Sequence, residues 1–266
     1  MDLGLTGKAC AVLGGTRGMG RESVRLLAEE GANVAVISRD PGAAQADFER
    51  LAAQHGVEIL ALPADASRSG EIEAAIGSAI RHFGRLHGLA VTNHWMGPSR
   101  TFEAVEDAEW HDYFQNSLMG AVRAARAVLP HMEDNRGGSL VLTTAFSSRA
   151  PKPYIPAYAA FKAALNNLVK SLMKAYGHSG VRVNAVAPGA IRTGRYDERL
   201  AQLRSKRPEI TMQEAEAIML DRLDMKVALE RIGDPSEVAE LIVFLLSARG
   251  GYINGLIANV DGGTDF

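Results

Sequence analysis

Tyr158 and Lys162 stand four residues apart in Tyr158-Ala159-Ala160-Phe161-Lys162, a spacing that puts a phenol and an ammonium on one face of a helix. A tyrosine with an ordinary pKa near ~10 is a poor base at neutral pH. A cation about 4 Å away, at an effective dielectric of about 20, favours the phenolate by ~4 kcal/mol, or roughly three pKa units. Such a pair is equipped to exchange a proton with a substrate oxygen. A second cluster, Gly14-Gly15-Thr16-Arg17-Gly18-Met19-Gly20, has glycines at 14, 18 and 20. Between a strand and a helix, glycines so placed let the chain turn tightly and bring backbone N–H groups against a pyrophosphate.

Both clusters need a scaffold, and the pattern of apolar residues supplies one. Short apolar runs at Ala9 to Leu13, Asn33 to Ser38, Ile59 to Leu62, Leu89 to Thr92, Leu140 to Thr143, Val181 to Ala187 and Leu256 to Val260 read as buried strands. Between them, Arg21 to Glu30, Gly70 to Phe83, Asp107 to Met132 and Ala157 to Tyr176 have helical spacing. Alternation of this kind predicts an α/β fold, a doubly wound parallel sheet of the Rossmann type with helices on both faces. Asp234, Pro235 and Glu237 supply an N-cap, a first-turn proline and a capping-box carboxylate for a helix running through Val238 to Leu246. The alternation breaks at about 192 to 231, a polar stretch containing the helical segment Thr211 to Leu223, and this insertion is read as a helical substrate lid. Residues 1–266 are expected to form a single domain.

Of 266 residues, 47% are hydrophobic and 23% charged, enough to bury a large core. Lys and Arg number 29 against 31 Asp and Glu, so the net charge of -2 offers no field for a polyanion, and nucleic-acid binding is not expected. Cys10, the one cysteine, lies inside the first apolar run and reads as a small hydrophobe in a reducing cytoplasm. The start MDLGLTGKACAVLGG lacks a secretory pattern, no apolar run approaches the ~20 residues of a membrane span, and no metal is expected.

The G-x-x-x-G-x-G spacing after the first strand resembles the short-chain dehydrogenase/reductase family, in its 3-oxoacyl-reductase-like branch, and further landmarks occur in order over nearly the whole chain. The resemblance implies an oxidoreductase interconverting a ketone and a secondary alcohol by hydride transfer to or from a nicotinamide dinucleotide. Tyr158 would be the general acid/base, with Lys162 lowering its pKa and binding the nicotinamide ribose beside it. Asn116 matches a helix asparagine that holds a water for a proton relay, and Asp65, in Ala64-Asp65-Ala66, matches an adenine contact, with a bare turn or helix-cap role as the alternative. Pro188-Gly189-Ala190-Ile191-Arg192-Thr193 resembles P-G-x-I-x-T, whose Ile and Thr hold the nicotinamide carboxamide. Asn93 would lie beneath the cofactor. At the end of the second strand, where an NAD enzyme places an acid for the ribose hydroxyls, this chain has Ser38 followed by Arg39. With Arg17 in the glycine turn, two guanidinium groups could surround a 2′-phosphate, so NADP(H) is favoured over NAD(H), although Asp40 could still reach a ribose. Homodimers or homotetramers through the two long helices are expected by resemblance.

The chain departs from the family pattern at three places. Leu13 replaces a threonine before the first glycine. The catalytic serine, thirteen residues before the tyrosine, is Ala145. If the strand stays extended, alternation points Ser147 to the same side, which makes Ser147 the candidate replacement; a chain that turns at Phe146 would make Thr144 or Ser148 as good. Thr92-Asn93-His94-Trp95 stands where the family has Asn-Asn-Ala-Gly. Trp95 would crowd the adenosine side, so another path is expected there, with Gly97-Pro98 supplying a turn. His94 could be invoked as a catalytic acid, but a lone loop histidine is more often structural and is read so here. Trp95, Met96, Phe146 and Tyr154, with Met212, Met219 and Met225, are candidate walls for an apolar substrate, with core packing as the alternative and the more usual role of each methionine, while Arg192 and Arg195 could receive an acidic group. Two other functions fit less well: an isomerase or dehydratase would need a further acid–base pair, and an NADPH-binding regulatory protein without turnover would fit Ala145.

Overall fold

Parallel strands are forced on this chain by its long crossovers, and buried parallel strands carry apolar residues on both faces. In the computed structural model, which describes residues 2–264 except the side chain of Arg195, seven strands form one parallel sheet in the order β3-β2-β1-β4-β5-β6-β7. They are β1 Ala9–Leu13, β2 Asn33–Ser38, β3 Ile59–Pro63, β4 Gly88–Val91, β5 Gly138–Thr143, β6 Val181–Pro188 and β7 Ile257–Val260. Alternate residues of β1 serve opposite layers. Ala9, Ala11 and Leu13 pack with α3 (Glu71–Phe83), α5 (Gly120–Asp134) and α6 (Pro156–Tyr176). Cys10 and Val12 pack with α1 (Gly18–Glu29), α2 (Gln45–His55) and α9 (Pro235–Leu246). Cys10 is fully buried and its thiol is pushed up to about 12 by that burial, which fits a packing role. At the start of α9 the reciprocal half of the expected capping box forms, with Asp234 N donating to Glu237 Oε2 at 2.8 Å, while the Asp234 side chain makes no capping hydrogen bond.

Asp107 to Met132 is not one regular helix. It divides into α4 (Asp107–Tyr113), a π-helical turn over Phe114–Met119, and α5. A π turn adds one residue to the helix and rotates α4 about the axis relative to α5, a device frequent at functional sites. Polarity and periodicity carry no sign of it, because both halves keep helical spacing.

The insertion after β6 folds as two helices, α7 (Gly194–Lys206) and α8 (Met212–Arg222). Neither α7 nor α2 carries a strong apolar stripe, and neither is among the helices expected from spacing. The pair α7 and α8 builds its own small core from Leu200, Leu203, Ala215, Met219, Leu220 and Met225, closed against Phe146 and Ile232. Met219 and Phe146 are therefore core residues, Met225 belongs to the same core and also lines a cleft with Gln213 and Ala217, and Met212 is exposed. No helix among the described residues is long and apolar enough to cross a membrane.

Candidate active site

Sheet order reverses between β1 and β4, and the crevice beyond the carboxyl ends of those strands is where open α/β sheets take ligands. The glycine turn lies there. Gly14 has φ +89 and a side chain on it would sit 2.7 Å from Asn93 N, so both conformation and space require glycine. A Cβ at Gly20 would meet Gly14 O at 2.2 Å and Thr92 Oγ1 at 2.5 Å. Arg17 takes the N-cap position of α1 in extended conformation, no side chain caps the helix, and its first turn carries no acid. The amide donors around Thr16, Gly18 and Met19 are thus presented without a competing carboxylate, which suits a phosphate.

Beyond β2 and β3 lies a cleft of about 600 Å³ lined by Arg39, Leu62, Pro63, Ala64, Asp65 and Arg68, among others. Ser38 leads into it, and its buried hydroxyl has no partner within the protein. The cleft pairs Arg39 with Arg68, a residue that no motif singles out, while Arg17 is not part of its lining. The only sequence signal for Arg68 is its place three residues after Asp65. Asp65 Oδ1 accepts from Ser67 N at 2.9 Å and Ser67 Oγ at 2.8 Å. Burial would raise its pKa, but those bonds, with Arg39 and Arg68 nearby, hold it below the usual carboxylate range. Asp65 therefore anchors a turn at the cleft wall. Ala66 packs behind it, its carbonyl accepting from Arg123 Nη1 at 2.8 Å.

At the far end of the crevice, Gly189 backs closely on Asp261, and Ile191 is tied beside Gly233 in a parallel bridge. Pro188 closes β6 opposite Val260. Thr193, the N-cap of α7, brings its Cγ2 within 3.4 Å of the place a side chain on Gly18 would occupy, so the P-G-x-I-x-T segment does meet the glycine turn. Asn93 lies against the glycine turn, its Nδ2 donating to the Asn116 carbonyl at 3.0 Å. The Asn116 side chain turns back to Asp112 O at 2.9 Å. The residues present thus fit a dinucleotide: a cradle that a Cβ would fill, an uncapped helix start, and an orphaned Ser38 hydroxyl at the strand end leading to a cleft that holds Arg39 and Arg68, the latter paired with Glu71 at 3.4 Å.

Tyr158 and Lys162 are both buried on α6. Lys162 Nζ donates to Thr143 O at 2.8 Å and lies 5.7 Å from the centroid of the Tyr158 ring. Burial lowers the Lys162 pKa to about 8. The same burial pushes the Tyr158 phenol up, with Tyr196 and Tyr113 adding to it. This corrects the expectation that Lys162 depresses Tyr158. The ammonium points to the end of β5 rather than to the phenolic oxygen, so in this structure Tyr158 is a firmly protonated donor.

The premise that points to Ser147 also fails, because the chain turns immediately after Ala145 into a 3-10 turn over Phe146–Ser148. Ser147 stays a candidate on different grounds. Ser148 Oγ donates to Ala145 O at 2.6 Å and accepts from Asn166 at 2.7 Å, and Thr144 Oγ1 donates to Val186 O at 3.2 Å. The Ser147 hydroxyl is buried with no partner within the protein. No turn forms at Gly97-Pro98. Trp95 leaves the adenosine side and packs edge-on against Tyr113 at 4.5 Å between centroids, while Gly97 N donates to Tyr113 Oη at 3.0 Å; glycine at 97 serves this close approach. Trp95, Met96 and Tyr154 pack in one apolar cluster with Tyr158. His94, read as structural, lies against Tyr158 with Nδ1 3.5 Å from the hydroxyl. Arg192 does not wait for an acidic substrate: it pairs with buried Glu216 at 2.6 Å. The Arg195 side chain lies outside the described residues.

A crevice of this construction defines a Rossmann-type oxidoreductase. Known proteins agree: the family described as enoyl-(acyl carrier protein) reductase matches residues 14–265. The chain is 30% identical over 264 residues to oxidoreductase UcpA of Escherichia coli O157:H7, covering 98% of this chain and 95% of that protein. The crystal structure of L-sorbose reductase from Gluconobacter frateurii, complexed with NADPH and L-sorbose, superposes with a TM-score of 0.90 at 28% identity, covering 99% and 98% of the two chains. An NADPH-bound short-chain oxidoreductase from Pseudomonas aeruginosa PAO1, described as containing an atypical catalytic center, gives 0.86 at 27% identity, covering 96% of each. The chain belongs to the short-chain dehydrogenase/reductase family and is an oxidoreductase of that family.

Proposed function

We propose that the protein is an NADP(H)-dependent oxidoreductase that interconverts a ketone and a secondary alcohol, with Tyr158 as the proton donor and acceptor. The observation that carries this reading is the buried Tyr158 hydroxyl standing among apolar side chains at the end of the crevice that begins at the glycine turn. The nicotinamide, when bound, supplies or takes up the hydride. Thr16, Arg17, Gly18 and Met19 would hold the pyrophosphate, Pro188, Gly189, Ile191 and Thr193 the nicotinamide end, and Ser38 with Arg39 and Arg68 a 2′-phosphate. The relatives crystallised with NADPH support that choice. Lys162 fixes the ribose and keeps a positive charge behind Tyr158, and Ser147 is the hydroxyl available to hold the substrate oxygen. The phenol, kept protonated by burial, suits reduction, in which the oxygen gains a proton as the carbon gains a hydride. The walls formed by Trp95, Met96 and Tyr154 select an apolar or cyclic carbonyl compound. Residues 192–231 act as a lid on the same domain, and subunits pair through α5 and α6.

The test is NADPH consumption with a carbonyl panel (L-sorbose, cyclohexanone, an acetoacetyl thioester) by wild type and Tyr158→Phe. Activity in the wild type and its loss in the variant is expected; equal activity refutes the assigned acid. Ser38→Asp combined with Arg39→Leu should raise the NADH-to-NADPH ratio of kcat/KM, and an unchanged ratio refutes the 2′-phosphate site. A second reading, a dinucleotide-binding regulator without turnover, is favoured by Ala145 together with the commitment of Thr144 and Ser148 elsewhere. It prevails if NADPH binds and nothing on the panel is reduced.

A further inference from the structure

The loop after β4 brings an exposed imidazole to a buried phenol. Tyr158 is 5% exposed, whereas His94 is exposed to solvent, and the two rings meet edge-on with centroids 5.5 Å apart at 80°. His94 Nδ1 lies 3.5 Å from the Tyr158 hydroxyl, a long contact of the kind that tightens when an active site fills. Tyr158 cannot exchange its proton directly with bulk water from where it stands, yet each turnover must return one. The hydrogen bonds of the other polar groups near the phenol are directed to other atoms. Lys162 Nζ donates to Thr143 O, the Asn116 carbonyl already accepts from Asn93 Nδ2, and position 145 has no hydroxyl.

We propose that His94 carries protons between solvent and Tyr158. The proposal rests on the reading of Tyr158 as the acid. In the reducing direction the phenolic O–H bond breaks and its proton joins the substrate oxygen, while the carbon takes its hydride from the reduced nicotinamide dinucleotide. The Nδ1–H bond of the His94 imidazolium then breaks and its proton restores the phenol. The neutral imidazole recovers a proton from a solvent acid. Oxidation runs through the same bonds in reverse. Among the described residues, the titratable and charged groups near the pair include Tyr158 and Lys162 on α6, Tyr113 on α4, Tyr196 on α7, and the Arg100–Glu109 ion pair, 3.1 Å, beyond Trp95. Two features distinguish this role from packing: histidine titrates in the working pH range, and a proton carrier can be replaced by a diffusible one.

The experiment compares wild type, His94→Ala, His94→Asn and Tyr158→Phe with NADPH and whichever carbonyl on the panel the wild type reduces. His94→Ala should lower kcat by on the order of 10²-fold with KM little changed. It should also lose the fall in rate that the wild type shows as rising pH deprotonates the imidazolium, and recover rate with added imidazole. His94→Asn, which keeps an amide donor near the place of Nδ1, should stay as slow as His94→Ala. A wild-type rate and pH profile in His94→Ala overturns the proposal, as does recovery by His94→Asn, which would make the group a hydrogen-bond donor only. Activity surviving in Tyr158→Phe overturns the underlying reading instead. Independently of turnover, the NMR titration of His94 in the protein alone should shift its midpoint in Tyr158→Phe; superimposable curves overturn the contact on which the relay depends.

Discussion

Lys162→Met should leave the protein inactive but no less stable at neutral pH, and it should remove a specific rise in stability above pH 8. The ammonium is buried, and burial lowers its pKa from 10.5 to about 8. Below pH 8 both folded and unfolded chains hold the proton, so the folded state carries the whole penalty, roughly 3 kcal/mol at ~1.4 kcal/mol per pKa unit. Between pH 8 and 10.5 the unfolded chain binds more protons than the folded one, so wild-type stability rises with pH and the penalty is gone above 10.5. Methionine is of similar length and carries no charge, so the variant escapes this term. It also forfeits the bond to Thr143 O, which costs about 1–3 kcal/mol and offsets most or all of the gain at pH 7. The quantity to measure is the difference in urea-unfolding free energy between wild type and variant across pH 7 to 10.5. It should shift toward the wild type by about 3 kcal/mol, mostly above pH 8. A difference that stays flat refutes the buried ammonium.

Three further outcomes are expected from the geometry. Gly20→Ala drives a methyl group into Gly14 O and Thr92 Oγ1, so it should destabilise by about 1–3 kcal/mol or more and weaken NADPH binding; wild-type values of both by calorimetry contradict the cradle. Glu216→Ala strands Arg192, which is 35% exposed and has Asp234 at 3.7 Å as a second partner, so a cost near ~3 kcal/mol is expected, below the ~5 of a fully buried pair. Limited proteolysis should then cut first within residues 194–222, and an unchanged digestion pattern argues against the ion pair as the anchor of that segment. Ser147→Ala removes an unpaired buried hydroxyl and should leave the melting temperature unchanged or raised while lowering kcat, whereas Ser148→Ala breaks two bonds and should cost about 1 kcal/mol. The reverse order in thermal unfolding and turnover would remove Ser147 from the site.

How much of this is legible before folding depends on the range of the interaction involved. Strands β1 to β7, the glycine turn, the capped start of α9 and the Tyr158–Lys162 spacing are local in sequence, and local periodicity, capping and turn chemistry state them directly. The π turn, the course of Trp95 toward Tyr113 and the direction of the Lys162 ammonium are not local. Each is set by groups distant in sequence: Asn93 meets Asn116 across 23 residues, Lys162 meets Thr143 across 19, and His94 meets Tyr158 across 64. Arg192 illustrates the limit. As a sequence it is a cation beside a binding motif, but packing of α8 places a buried carboxylate on it and settles its partner. The sequence alone determined the class of fold and the chemistry available, since both depend on residue type and period. Only the tertiary structure decided which hydroxyls are spent and which imidazole reaches the phenol, because pairing in a closed core depends on what every other group has already claimed.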